Sequence, residues 1–448
     1  MSDSLQELAA ALLRAASDAG ADAAEALTVQ GTSLSIDVRN GTLEMAERSE
    51  ATDLGLRVFI GQRSAITSAS DSSATTIAAM AERAVAMARE APEDPHAGIA
   101  GSEQIAQTWD VAALELADST PEPDPATLEQ DALTAEAAGL AVAGVSQVQS
   151  ANASYGAQTM HMASTNGFSG GYNRTSRSVS CVAIAGTGTD MERDYDGDAR
   201  IFQSDLRSAD EIGRVAGERA IERLNARKPA TGSYPVLFDE RIAASLIGHL
   251  LSAANGAAVA RGSSWLEGCL GEPVLPDHLS IIEDPYRARA SGSRPFDGEG
   301  LPTTRRAIVE NGVLTGWSLD LSSARKLDMS PTGNAARGVS SPPSPANWNI
   351  ALTPGEQSRA DLIASMGTGL LVTSMIGSTI NPNTGDYSRG ASGFWVENGE
   401  ITHPVNECTI AGNLRDMLRR IIPANDARPW LSRVVPSLLV EGMTLAGD

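Results

Sequence analysis

Three of the five Asn-Gly dipeptides in this chain, those set between strand-like runs, constrain it more than any other feature. Asn40-Gly41 lies within "SLSIDVRNGTLEMAE", Asn311-Gly312 within "AIVENGVLTGWS" and Asn398-Gly399 within "FWVENGEITHPV". A tight hairpin turn needs positive φ at both central residues, and Asn and Gly adopt it at least cost. Each dipeptide therefore predicts a pair of antiparallel strands. "VENGVL" and "VENGEI" are alike, but two short hairpins do not make a repeat.

Helical spacing alternates with these strands. The opening "MSDSLQELAAALLRAASDAG" has no basic segment and carries Asp3 and Glu7, so it reads as a surface helix rather than a secretion signal. Ser4 and Glu7 fit a capping box ahead of Leu8, Leu12 and Leu13. "LGLRVFIGQRSAITSAS" reads as a strand pair turning at Gly61, and "SATTIAAMAERAVAMARE" has helical spacing through Ile77, Met80, Ala84 and Met87. "APEDPHAG" and "STPEPDPAT" are rich in Pro and acid and mark a boundary or an exposed excursion. A helix over about 126–143, two polar β-like stretches and a charged helix, "SADEIGRVAGERAIERLNA", follow. The strand "YPVLFD" then leads into "AASLIGHLLSAANG", which is apolar nearly all round and predicts a buried helix. The expected fold is α+β, an N-terminal α/β unit plus a C-terminal domain rich in antiparallel sheet. The expected divisions are 1–95, 96–228 and 229–448.

Charge narrows the function. Acidic residues outnumber basic ones 56 to 34, a net charge of −22, which repels phosphate backbones and argues against a nucleic-acid partner. Aromatic residues are only 4% of the chain, so a core of Ala, Val, Leu and Ile with close backbone approaches is expected. No run of 18 apolar residues predicts a membrane span, and Cys181, Cys269 and Cys408 are too few and scattered for a disulfide framework. A cytoplasmic protein follows.

Two short motifs lack their context. "GFSGG" (residues 167–171) matches the nucleophile-elbow pattern, but the sequel is strand-like where a helix is needed. "DYDGDAR" spaces Asp194, Asp196 and Asp198 as in a calcium loop, yet Ala199 and Asp205 stand where Gly and Glu are required. A solvated acidic loop is the better reading. No dinucleotide or phosphate loop is present.

The apolar helix poses the central question, because it holds one histidine, His249. Its helical neighbours Ser245, Leu246, Ser252 and Ala253 are poor metal ligands, so spacing favours a hydrogen-bonded core histidine over a metal ligand.

Two long strings, "PVLFDERIAASLIGHLLSAANGAAVARGSSWL" and "STINPNTGDYSRGASGFWVENGEITHPVNECTIAGNL", resemble the TldE (PmbA) branch of the TldD/PmbA family. The resemblance runs the length of the chain and is dense from about Tyr234. It implies a heterodimer with a TldD-like zinc metallopeptidase, whose C-terminal domains enclose a cavity open only to unfolded or extended peptides. Zinc is then held by the partner, through an H-E-x-x-x-H helix and a cysteine near its C-terminus. Here "ASLIGH" replaces that motif. Ala244 takes the place of the first histidine, Ser245 that of the glutamate, and His249 that of the second histidine. Alanine cannot bind metal, serine is a poor base, and "ARPWLSRVVPSLLVEGMTLAGD" has no cysteine. The resemblance thus implies no catalytic residue, metal or cofactor in this chain. Residues five apart on an ideal helix diverge by about 140°, so the motif needs a locally widened helix, and Gly248 would permit a remnant of one.

Turn-forming "NPNTGDYSRGASG" carries Asp386, Tyr387, Ser388 and Arg389, and Gly256 suits a helix C-cap ahead of Arg261. Arg261, Asp386, Tyr387, Ser388 and Arg389 are the candidate peptide contacts, with Arg389 suited to a carboxylate. The plainer reading is that the loop holds the barrel or the subunit interface. Three functional expectations stand: a non-catalytic subunit of the peptidase, a metallopeptidase active alone through His249, or a stand-alone peptide-binding protein. A homodimer in the partner's absence stays open.

Overall fold

The computed structural model describes residues 4–447, so Asp3 lies outside the described residues. In the first half the chain forms α1 (Leu5–Asp18), β1 (Ala23–Arg39), β2 (Thr42–Ile60), β3 (Arg63–Ala69), α2 (Ala74–Glu90), α3 (Pro125–Leu140), β4 (Val145–Ser164), β5 (Ser169–Ala185), β6 (Glu192–Arg200) and α4 (Ala209–Glu222). The strands make one antiparallel sheet in the order β3-β2-β1-β4-β5-β6. β1 pairs with β4, so the stretches before and after the acidic, Pro-rich excursion share this sheet.

Alternation along β1 divides the sheet's faces. Ala24 and Ala26 pack under α1 and α2, and Leu34, Ile36 and Val38 under α3 and α4. All have the same parity, so the two helix pairs lie side by side on one face. Leu27 and Val29, of the other parity, join Met162, Phe168 and Phe296 on the opposite face. The expected aliphatic core is present, and it permits close helix crossing: a Cβ on Gly213 of α4 would lie 1.9 Å from the Ala135 carbonyl oxygen of α3.

Ser4 and Glu7 do form the capping box, and Leu8 and Leu12 are buried. Met87 departs from the predicted helical face. It is 48% exposed, while Val85 and Ala88 are buried in its stead, because α2 presents its Ala-rich stripe to the sheet. β1 also begins well before the alternating pattern at Ser33. Burial beneath two helices overrides the helical propensity of its Ala-rich start.

The second half runs β7 (Gly232–Phe238), α5 (Glu240–Ala253), α6 (Gly256–Ala260), β8 (Ile281–Glu283), β9 (Arg306–Glu310), β10 (Val313–Leu314), α7 (Leu321–Lys326), β11 (Ala335–Gly338), β12 (Ser341–Pro345), β13 (Ile350–Leu352), α8 (Arg359–Ser365), β14 (Gly369–Ile380), β15 (Asp386–Glu397), β16 (Glu400–Asn413), α9 (Leu414–Leu418), β17 (Ile422–Pro423), β18 (Arg433–Val434) and β19 (Leu438–Ala446). β16-β15-β14-β7-β19 form a sheet in that order, and β16 also pairs with β19 through Ile410 and Leu445. The sheet therefore closes into a barrel, which removes its open edges. α5 packs its Ala243, Leu246, Ile247 and Leu250 into the same core as barrel residues Val236, Val372, Ile410 and Val440. A smaller sheet, β10-β9-β8-β13-β18, lies beyond.

All three Asn-Gly hairpins form, joining β1 to β2, β9 to β10 and β15 to β16. Their asparagines have φ of 54°, 49° and 53°, as such turns require. No helix of the described residues is long and apolar enough to cross a membrane.

Candidate functional site

The Asp239 carboxylate caps α5 by accepting from the Arg241 backbone N–H at 3.2 Å. The Arg241 guanidinium pairs with Asp239 at 3.1 Å and with Asp194 of β6 at 3.2 Å, which anchors the start of the helix to the N-terminal sheet. Arg428 pairs with Glu240 at 2.6 Å. Burial outweighs that arginine and raises the Glu240 carboxyl above the usual carboxylate range.

Between α5 and the helix-free face of the N-terminal sheet lies a cleft of about 780 Å³. Its floor includes Gly31, Ala51, Gly156 and Gln158, small or uncharged side chains that leave the sheet face accessible. Its roof includes Ala244 and, from the segment before β19, Trp430 and Arg433. Gly248, one turn beyond Ala244, faces the same roof: a Cβ there would sit 3.1 Å from Arg433 Nη1.

His249 is placed differently. Its ring stands edge-on to Tyr387 of β15, with centroids 5.8 Å apart and planes at 70°. Burial, with the Arg389 charge adding to it, holds the imidazole below its ordinary range. The expected hydrogen bond is not made. Nε2 is buried without a partner among the described residues. The nearby helix hydroxyls are spent on their own backbone, Ser245 on the Ile242 carbonyl at 2.7 Å and Ser252 on that of Gly248 at 2.8 Å. The expected widening is also absent, since α5 is α-helical throughout. Ala244 and His249 consequently open onto different surroundings, as five residues of regular helix dictate.

These positions do not fit zinc. Ala244 offers no ligand atom and the Ser245 hydroxyl is already engaged. Cys408 donates to the Ala391 carbonyl at 3.2 Å, and burial pushes its thiol up to about 11. Cys269 Sγ lies 3.5 Å from Arg415 Nη1. Among the described residues no group of three or more His, Cys, Asp or Glu side chains is placed to share a metal ion.

The structure brings Tyr387 and Arg389 to His249 and scatters the other predicted contacts. The Tyr387 hydroxyl donates to Met375 Sδ at 3.3 Å, and burial pushes it up to about 12. Arg389 donates to the Gly377 carbonyl at 2.7 Å. Asp386 is exposed and accepts from Thr384 and Asn413, which lower its pKa. Ser388 is half-buried in β15. Arg261 is exposed at the end of α6. None of these five lines the cleft. Gly256 is not a helix C-cap: Asn255 caps α6 by accepting from the Ala257 N–H, and Gly256 permits close approach to Leu319, whose Cδ2 would be 2.3 Å from a Cβ.

"DYDGDAR" corrects its sequence reading. It is strand β6 rather than a solvated loop, and Asp194 and Asp196 are buried. Asp196 pairs with Arg207 and Arg219, Asp194 with Arg223 and Arg241, and Asp198 with Arg200. Alternation was the available signal, because a period of two puts all three carboxylates on one face of a strand. "GFSGG" runs into strand β5, as its sequel predicts. Ser169 there lies 2.9 Å from His161 Nε2, but no helix follows to form an elbow. Sequence reasoning missed Arg433 altogether.

Comparison with known proteins places this geometry. Residues 24–88, 118–224 and 231–447 match the models of PmbA/TldA metallopeptidase domain 1, central domain and C-terminal domain. The metalloprotease PmbA of Escherichia coli O157:H7 is 38% identical over 95% of this chain and 93% of its own length. A candidate modulator of DNA gyrase from Bacteroides thetaiotaomicron superposes with a TM-score of 0.90 at 26% identity, covering 99% of both chains. TldE from Thermococcus kodakarensis shares the fold, with a TM-score of 0.86 at 19% identity over 98% of this chain and 100% of that one. The chain belongs to the PmbA/TldD family, and its role is tied to that family's metallopeptidase activity.

Proposed function

We propose that this chain is the metal-free, non-catalytic TldE-type subunit of a two-chain zinc metallopeptidase that degrades unfolded peptides in the cytoplasm. A TldD-like partner supplies the zinc and the base, and this chain holds the peptide. One observation carries the reading. At the positions of the partner's first zinc histidine and glutamate, α5 has Ala244, without a ligand atom, and Ser245, whose hydroxyl is returned to the helix backbone.

Peptide holding draws support from the cleft. β2 pairs with β3 only from Leu54 onward, so its earlier stretch is an edge strand. Ser49, Ala51 and Asp53 of that stretch line the cleft. An extended peptide adding to such an edge is held by main-chain hydrogen bonds, which suits substrates of varied sequence. Arg261 and the Asp386–Arg389 stretch, away from the cleft, are assigned to secondary peptide or subunit contacts.

The test is hydrolysis of an unstructured peptide by this chain, by its H-E-x-x-x-H partner, and by the two mixed. Activity only in the mixture is expected. A peptidase active by itself is the second reading, favoured by the metalloprotease name of the Escherichia coli relative. Chelator-sensitive hydrolysis by this chain alone would establish it in place of the first. Peptide binding with neither hydrolysis nor a stable partner would leave a stand-alone binding protein.

A further inference from the structure

The cleft is basic in a strongly acidic protein. Six arginines line it, namely Arg174, Arg200, Arg241, Arg289, Arg428 and Arg433, against the carboxylates Asp53 and Glu240. Four of the six are neutralised within the chain. Arg200 pairs with Asp198, Arg241 with Asp194 and Asp239, Arg289 with Glu115 and Asp205, and Arg428 with Glu240.

Arg174 and Arg433 have no carboxylate partner among the described residues. Arg174 projects from β5, and its guanidinium donates to the carbonyls of Ser291 and Ser293 and lies 5.4 Å from the centroid of the Tyr172 ring. Its Nε is buried with no acceptor. Arg294 donates to the same two carbonyls, so two cations crowd one spot without a counter-charge. Burial, and then the Arg294 charge, push the Arg174 guanidinium down to about 10. A desolvated cation without an anion is a standing cost, and an incoming carboxylate relieves it. Arg433 is held by β18, which pairs with β13, and its guanidinium lies over Gly248 one turn from Ala244. Asp53 is on β2, three strands from Arg174 across the sheet, and pairs with neither arginine among the described residues.

We infer that the cleft is a carboxylate-recognising site, in which Arg174 and Arg433 select peptides that carry an anionic group. This rests on the peptide-holding reading above and names the substrate class it takes. Planar guanidinium forks suit a carboxylate in two-point contact. Either a peptide's C-terminus or an acidic side chain supplies that group.

The experiment is fluorescence-polarisation binding of the full chain to four versions of one unstructured peptide. These are acidic with a free C-terminus, acidic with a C-terminal amide, Asp→Asn with a free C-terminus, and neutral with an amide. The fully neutral peptide is expected to bind about tenfold or more weakly than the acidic free acid, the scale of one charge-assisted hydrogen bond. Arg433→Gln and Arg174→Gln should each shrink that preference. Arg433→Gln breaks no internal ion pair, so it tests the inference even if Arg174→Gln unfolds. A preference lost on amidation identifies the terminus as the anchor, and one lost on Asp→Asn identifies the side chains; either result supports the inference. Equal binding of all four peptides, or a preference untouched in Arg433→Gln and in any folded Arg174→Gln, would overturn it and leave peptide holding intact. Failure of every peptide to bind would sink both.

Discussion

The rings of His249 and Tyr387 stand edge to face with centroids 5.8 Å apart, and that contact takes the place of the ligand or hydrogen bond a helix histidine ordinarily finds. The half-buried imidazole has no Nε2 partner among the described residues, and burial and the Arg389 charge lower its pKa, which favours the neutral form. It therefore contributes to folding through its neutral form.

Acid should weaken the fold through this residue. A folded-state pKa below the ordinary 6.5 means that the unfolded chain takes up the proton first as pH falls. The contribution of His249 is full above 6.5 and is lost as pH falls below it. His249→Phe should keep the ring contact and flatten the acid side of the stability curve, measured as urea midpoints between pH 7.5 and 5. His249→Ala should cost roughly 1–3 kcal/mol at pH 7.5 with no change in metal content. Loss of stoichiometric zinc from the isolated chain in that variant would mean that His249 is a ligand.

Alkali should act through a second group. Glu299 is buried, accepts from the Leu321 N–H at 2.8 Å, and shares its surroundings with Asp297, Glu25 and Asp320. Burial first, and the Asp297 charge next, raise it well above the ordinary carboxylate value. Asp297 is pushed up to about 7, chiefly by burial, despite accepting three backbone N–H bonds. A raised folded value means stability that is present at low pH and lost as pH rises through it. Glu299→Gln keeps the acceptor for Leu321 and should be more stable than the parent at pH 8, with a smaller difference at pH 5. Thermal midpoints that change equally at both pH values would contradict this.

The two halves are joined by a buried ion pair. Glu25 of β1 lies 3.2 Å from Arg337 of β11 and 3.3 Å from Arg57 of β2, and Arg337 is only 2% exposed. The three Arg337 guanidinium nitrogens lack well-angled hydrogen bonds, so the pair is an electrostatic contact. Glu25→Ala should cost about 3–5 kcal/mol because it strands a buried cation. Arg337→Met in the same chain should recover much of that loss, and a double-mutant cycle by chemical denaturation measures the coupling.

Close packing of α3 and α4 supplies the fourth prediction. A methyl on Gly213 would clash with the Ala135 carbonyl, a backbone atom that cannot swing aside. Gly213→Ala should destabilise by about 1–3 kcal/mol despite its gain in helix propensity. Glu218→Ala, which removes an exposed pair with Arg214 on the same helix, should stay near neutral in the same melting experiment.

Local chemistry made much of this protein legible in its sequence. Asn-Gly turns, the Ser4–Glu7 capping box and the apolar run around His249 each act within a few residues, so their geometry follows from the residues themselves. The missing ligands at Ala244 and Ser245 are equally plain, because no fold can give an alanine a lone pair. Tertiary structure decided the rest. Asp194, Asp196 and Asp198 look like a wet acidic loop until Arg207 just ahead of α4, Arg219 of α4 and Arg241 of α5 meet Asp196 and Asp194 on one face of β6. His249 looks like a hydrogen-bonded core residue until its helix consumes the nearby hydroxyls and Tyr387 arrives from a strand far along the chain. Arg174 and Arg433 lie far apart in sequence and show no local pattern. Only the fold brings them to one cleft and leaves them without counter-charges, since pairing and desolvation depend on which distant segments meet.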